Sequence, residues 1–278
     1  MNCEIKDLKK RAVKIRKDII KMLYHAGSGH SGGSLSMVEI LVTLYYCVMN
    51  YDAKKPGWKK RDKLLLSKGH GCPALYAILA DRDFFPRKEL WQLRKLGSRL
   101  QGHPQIGLPG VEISSGSLGQ GLSIANGMAL SNRIDNINSK IFCIMGDGET
   151  NEGQIWEAAM TAGHYRLDNI CGIIDYNKLQ IDGFCCDIKD MGPYAAKWES
   201  FGWSVFEANG HDFNDLKNAF DKASKIKGKP QIIIAHTIKG KGVSFMENQV
   251  NWHGVAPKKD EYEKATEELD KQLETINL

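Results

Sequence analysis

Nowhere in the 278 residues does an apolar run approach the roughly 18 positions that a membrane-crossing helix requires. The opening segment, Met1 to Arg11, is charged and lacks the apolar core of a secretion signal. The seven cysteines include no CxxC spacing. Cys143 and Cys171 sit inside apolar runs and read as buried thiols, and Cys185-Cys186 is too close a pair for ordinary disulfide geometry. These absences exclude a membrane span and a disulfide framework, and they point to a reducing cytoplasm. A strong charge of one sign is missing too. The net charge is +5, spread along the chain, and the short runs Lys9-Lys10-Arg11 and Lys59-Lys60-Arg61 have no aromatic residues interleaved. They read as solvated faces, so no nucleic-acid partner is expected. There is no internal repeat and no low-complexity linker.

What is present is the composition of an ordinary soluble protein, in a chain long enough for one large domain or two small ones. The mild positive balance suits small anionic molecules such as sugar phosphates. Leu8, Ala12, Ile15, Ile19, Met22 and Leu23 form a helical stripe over 8–25, and a second helix is predicted over 36–49. Continuous apolar runs predict buried strands at 63–67, 141–145, 170–174, 203–206 and 231–235. Helices are predicted between them at 117–132, 152–165 and 214–226, with a last charged helix at 259–274. Alternating strand and helix predicts an α/β fold, a three-layer, doubly wound, mostly parallel sheet. In such sheets ligands bind beyond the C-terminal strand ends.

Gly27-Ser-Gly29-His-Ser-Gly32 matches the dinucleotide fingerprint G-x-G-x-x-G literally. That fingerprint needs a strand before it, and here a helix precedes it. The loop is read instead as one that brings backbone close to a ligand and presents His30.

The strongest signal is Gly146-Asp147-Gly148, then 28 residues, then Asn177. Both ends fall just past consecutive predicted strands, which can lie side by side. Asp147 can offer a carboxylate, Asn177 an amide oxygen and Leu179 a backbone carbonyl to a hard cation such as Mg²⁺, which favours about six oxygens. Gly148 lets its N–H approach a phosphate oxygen near a helix opening at about Asn151. The competing reading is an ordinary strand-to-helix turn, and the Asn after the very next strand weighs against it.

This spacing resembles the thiamine-diphosphate motif, with Tyr176-Asn177 where many of those enzymes have Asn-Asn. Five further segments, in family order over about 10–260, resemble transketolases. They are Ala26-Gly-Ser-Gly-His30-Ser-Gly-Gly, Ser67-Lys-Gly-His70-Gly, Gln101-Gly-His103-Pro, Ser115-Gly-Ser-Leu-Gly-Gln-Gly121 and Trp252-His253-Gly-Val-Ala-Pro257. The resemblance implies thiamine diphosphate with Mg²⁺ (Ca²⁺ or Mn²⁺ in its place) held at Asp147, Asn177 and Leu179. It implies that His70 and His253 lie near the diphosphate and the substrate's aldehyde end, and that His30 and His103 contact donor and acceptor hydroxyls. Gly116, Ser117 and Leu118 match the loop over the diphosphate, although the family often has Pro where Ser117 stands. Leu118 and Ile181 would pack on the thiazolium, or simply in the core. Gly148 and Glu152 would lie at the cofactor, and Glu152 with Glu157 would join an acid network between active sites, unless both are only first-turn acids favoured by the helix dipole. His25, His164, His211 and His236 are read as structural.

Transketolases place the glutamate that meets the pyrimidine ring, and the arginines for the sugar-phosphate tail, in a second domain, and a whole transketolase is more than twice this length. The expectation is therefore one diphosphate-binding domain over 1–278, ending in a helix, in a split enzyme. A partner chain would bring the pyrimidine-binding and C-terminal domains, as two copies of each. The expected reaction moves a two-carbon ketol unit between sugar phosphates, by default in the pentose phosphate route. The alternatives are the α subunit of a 2-oxo-acid dehydrogenase, a fragment like deoxyxylulose-phosphate synthase (suggested by Lys239-Gly-Lys-Gly242), and a cofactor-holding protein without activity of its own.

Overall fold

The computed structural model describes residues 4–278. Its first helix, α1 (Ile5–Ala26), buries the predicted stripe and ends at Gly27, whose φ of 64° closes the last turn. Next come α2 (Gly32–Leu35), α3 (Val38–Thr43) and a π-helical turn (Leu44–Val48). The single helix predicted over 36–49 is thus broken. Ser36 turns its hydroxyl to Asp175 (2.5 Å) and Met37 leaves helical geometry, because this segment wraps the buried end of the sheet.

Strand β1 (Lys63–Leu66) leads into α4 (Cys72–Asp81). Sequence periodicity missed α4 because all of 72–80 is buried, which leaves no polar face to mark a helical repeat. Helix α5 (Gln120–Ile134) starts later than 117, since Gly119 sits at φ 85° and ends the preceding turn. The remaining elements are β2 (Ile141–Gly146), α6 (Gly153–His164), β3 (Ile170–Tyr176), α7 (Cys185–Lys189), α8 (Tyr194–Ser200), β4 (Ser204–Asn209), α9 (Phe213–Ser224), β5 (Gln231–His236) and α10 (Lys259–Asn277).

The five strands run parallel in the order β1-β2-β3-β5-β4. Alternate residues feed opposite layers. Leu64, Leu66, Phe142, Ile144, Ile173 and Ile233 pack against α1, α3, α4 and α9. Leu65, Cys143, Met145, Ile174, Ile232 and Ile234 pack against α5, α6 and Trp198 of α8. The helices that lead into β2 and β3, α5 and α6, lie on one face as the chain advances across the sheet; from β4 to β5 it steps back, and α9 covers the other. A right-handed crossover demands that change of face when direction reverses. The fold is the expected three-layer α/β sandwich, with its sheet wholly parallel.

Candidate functional site

The C-terminal ends of β1, β2, β3 and β5 open into one cavity of about 370 Å³. The strand register places Gly146 opposite Asp175, so the turns after β2 and β3 start side by side. Asp147 Oδ1 accepts from the Gly148 N–H (2.8 Å), and Oδ2 accepts from the Lys178 N–H. Burial, and then the charge of Asp175, raise the Asp147 carboxyl to about 6. Asn177 Oδ1 accepts from the Leu179 N–H at 3.2 Å. Lys178 between them adopts φ 64°, which turns the chain so that Asn177 and Leu179 both line the cavity.

The four histidines singled out by sequence converge on the same space. Ring centroids lie 5.2 Å apart for His30 and His70, 5.6 Å for His30 and His253, 5.3 Å for His70 and His253, and 6.3 Å for His30 and His103. Burial lowers all four, helped by neighbouring cations: His30 to about 4 and His253 to about 3, with His70 and His103 also moved down. The rings are therefore neutral near pH 7. The Lys239 ammonium lies 2.7 Å from His253 Nδ1. An ammonium can only donate, so Nδ1 accepts and the His253 proton sits on Nε2.

Gly116, Leu118, Gly148, Glu152 and Ile181 also line the cavity. Ile181 is 64% exposed, an apolar side chain presented at the rim. Ser117 is exposed and belongs to an adjoining surface hollow with His103 and Gly116. Glu157 lies on the exposed side of α6, away from the cavity. His211 has the structural role read for it: its ring bridges Glu39 (3.0 Å) and the Ile238 N–H (2.8 Å).

Sequence reasoning missed the buried residues beneath these groups. Glu149 accepts from Ser67 Oγ (2.5 Å), the Gly119 N–H (2.9 Å) and the Gly146 N–H (3.0 Å), tying three site loops together. Lys68 donates to Gly33 O (2.9 Å) and to Asp175 (2.5 Å), with both side chains fully buried. Burial pushes the Asp175 carboxyl up, but Lys68 and the hydroxyls of Ser36 and Thr237 outweigh it and hold it low. The clues were positional, since Glu149 follows the Gly-Asp-Gly and Lys68 precedes Gly69-His70.

Three buried polar atoms in the lining have no hydrogen-bond partner among the described residues: His30 Nδ1, Asn151 Oδ1 and Gln180 Nε2. Such atoms are costly unless something else satisfies them. Around them stand a carboxylate, an amide oxygen and a carbonyl suited to a hard cation, with glycine backbone at Gly116 and Gly148. A Cβ on Gly148 would come within 3.0 Å of Gln180 Cβ, so close backbone approach is built in. The residues present therefore fit a diphosphate held through a divalent cation.

Residues 8–275 match the family described as "Transketolase, thiamine diphosphate binding domain". The chain is 44% identical to the 6-deoxy-6-sulfo-D-fructose transketolase subunit SqwG of Clostridium sp. (strain MSTE9), covering 96% of this chain and 97% of that protein. It is 40% identical to one of the named subunits of the apulose-4-phosphate transketolase of Phocaeicola vulgatus, over 98% and 97%. It superposes on a transketolase from Campylobacter jejuni with a TM-score of 0.91 at 31% identity, covering 99% of this chain and 46% of that one. The chain thus matches nearly the whole length of proteins named as subunits, and just under half the length of the solved enzyme.

Proposed function

The chain belongs to the transketolase family, and from that premise we propose that it is the diphosphate-binding subunit of a split transketolase that moves a two-carbon ketol unit between anionic sugars. The observation that carries the reading is the single cavity in which Asp147, Asn177, Leu179, Gly148 and four neutral histidines converge around unpartnered polar atoms. Asp147, Asn177 and Leu179 would hold Mg²⁺, or Ca²⁺ or Mn²⁺ in its place, while Gly116 and Gly148 would meet the diphosphate. Thiamine diphosphate supplies the carbanion chemistry, and this chain supplies orientation and protons. His253, with its proton on Nε2, donates to substrate oxygen. His70, stacked beside it, holds the cofactor's phosphate end, and His30 and His103 meet hydroxyls of donor and acceptor. Leu118 and Ile181 keep water from the reacting face.

The acids of the lining are Asp147, Glu149 and Glu152. Asp147 would hold the cation, and Glu149 is taken by Ser67 and two backbone amides. Glu152 stands exposed at the N-terminus of α6. Asp147 and Glu149 are thus engaged and Glu152 packs beside Gly119, next to the loop read as covering the diphosphate, so we assign the acid that meets the pyrimidine ring to a partner chain carrying the pyrimidine-binding and C-terminal domains, in an assembly with two copies of each. The full-length relatives named as subunits support this reading. Their named sugars carry a sulfonate or a phosphate, so the substrate here is a sugar of that type, with the pentose phosphates as the default. The cysteines described are all free, which suits a reducing cytoplasm.

The test is ketol transfer from xylulose 5-phosphate to ribose 5-phosphate with Mg²⁺ and thiamine diphosphate, for the chain alone and then mixed with the product of the adjacent gene. Activity only in the mixture supports the proposal. Activity of the chain alone overturns the assignment of the acid to a partner, and silence in both with the cofactor bound redirects the search to sulfonated or branched sugars.

A further inference from the structure

Lys239 and His253 both sit on the stretch that follows β5, and a buried chain of polar groups grips that stretch from below. The Ile238 N–H donates to His211 Nε2 at 2.8 Å, and His211 Nδ1 lies 3.0 Å from Glu39 Oε2. Both Glu39 oxygens face the Arg16 guanidinium at 2.7 Å. Arg16 closes the circuit, since its Nε donates to Lys241 O at 2.8 Å. The network therefore holds the backbone on either side of Lys239, at residues 238 and 241. Arg16 reaches this point because Gly242, at φ 93°, carries no side chain: a Cβ there would sit 2.6 Å from Arg16 Cδ.

A backbone N–H can only donate, so His211 Nε2 accepts and the His211 proton sits on Nδ1, directed at Glu39. His253 has the opposite arrangement, because Lys239 donates to its Nδ1 at 2.7 Å. Lys239 keeps that aim because its turn is fixed. The Gly240 N–H donates to Gly32 O at 3.0 Å, and the Asn248 N–H donates to Lys239 O at 2.9 Å. The Lys239 stem lies against Gly32, where a Cβ would come within 2.9 Å of Lys239 Cγ. Lys239 and His253 line the cavity and His211 does not, so any influence of His211 on the cavity passes through the turn.

We propose that His211, backed by Glu39 and Arg16, is a positioning residue that sets the turn 238–241 so that Lys239 holds His253 in the tautomer with its proton on Nε2. The inference rests on the transketolase reading above for the use made of that proton. It gives His211 a part beyond support of the fold. A tilt at Ile238 moves Lys239 off Nδ1 and frees the His253 ring to carry its proton on either nitrogen. A donor misaligned in this way costs rate more than binding.

The experiment compares wild type, His211→Asn and His211→Gln. The shorter amide of Asn can donate to Glu39 but falls short of Ile238, whereas the Gln carbonyl reaches the place of Nε2 and can accept from the Ile238 N–H. In the complex with the partner subunit, ketol transfer from xylulose 5-phosphate to ribose 5-phosphate should lose roughly tenfold to a hundredfold in kcat in His211→Asn, with KM nearly unchanged. His211→Gln should recover part of that loss. The ring nitrogen resonances of His253 in the full chain give a readout independent of activity. Wild type and His211→Gln should show Nε2 protonated and Nδ1 bare, and His211→Asn a mixture of the two tautomers. An unchanged His253 tautomer in folded His211→Asn overturns the proposal, as does an equal loss of kcat in both variants. A complex without ketol transfer refutes the transketolase reading and leaves the nitrogen resonances to judge His211. If His211→Asn does not fold, wild type decides: His211 protonated on Nδ1 together with His253 protonated on Nε2 supports the positioning, and any other pair overturns it.

Discussion

Replacing Glu39 by Gln should destabilise the protein strongly at neutral pH and weakly in acid. Glu39 is buried in α3, and both its oxygens face the Arg16 guanidinium at 2.7 Å, while Oε2 also meets His211. Burial pushes the Glu39 carboxyl up, but the charge of Arg16 and the hydrogen bonds from His211 and Arg16 outweigh it and bring it to about 2. Removing one member of such a pair strands the other, at a cost of about 3–5 kcal/mol. Linkage gives a consistent size: a fall from 4.5 to about 2 corresponds to roughly 3 kcal/mol. Because the folded carboxyl is depressed, this stability is fully present above the unfolded value and is lost as the pH falls toward 2. Urea unfolding of wild type and Glu39→Gln, from pH 7 down to pH 3, should show a gap of about 3 kcal/mol that narrows steadily below about pH 5. The double variant Arg16→Met with Glu39→Gln should recover part of the loss. A gap under about 1 kcal/mol at pH 7, or one that does not change with pH, would refute the reasoning, since this is the range of a surface pair.

Asp147→Ala should lower affinity for thiamine diphosphate with Mg²⁺ by about a hundredfold, read by calorimetry, because it removes the one charged oxygen donor at the proposed cation site. Glu149→Gln should cost about 2 kcal/mol, as a buried amide cannot accept all three bonds that the carboxylate accepts, and thermal unfolding would detect it. Gly121→Ala should cost about 1–3 kcal/mol, since its Cβ would run into Ser67 Cβ and Oγ under the site; an unchanged melting temperature would contradict this packing. The ring signals of His30 and His253 should keep their neutral-form shifts from pH 8 to pH 5. Their folded values lie below the ordinary 6.5, so stability should decline as the pH drops from there toward 4.

Much of this architecture was legible beforehand because parallel strands buried on both faces write themselves as continuous apolar runs, as Ile141–Met145 and Ile170–Ile174 do. The site was legible because its donors lie on short stretches with glycines, where backbone freedom and chemistry coincide in sequence. What escaped shares a physical cause. Helix α4 has no polar face, so no period betrays it. The break at Ser36–Met37 answers to Asp175, a contact across 139 residues that local pattern does not carry. Glu149 and Lys68 are ordinary charged residues until the fold buries them. Lys239 was visible, but in a stretch that pointed toward a different branch of the thiamine enzymes, and only its contact with His253 shows what it does here.

The neutral histidine cluster makes the cavity deaf to the acidity of its surroundings. Four imidazoles in water would change their protonation across the range a cell's interior visits. Here burial and the flanking cations move all four down from the ordinary imidazole value, His30 to about 4 and His253 to about 3. A drop of one pH unit from neutrality would leave the rings of His30 and His253 as they are. Sugar exchange at this site would then follow the supply of its substrates, with the cell's proton balance having little voice in it.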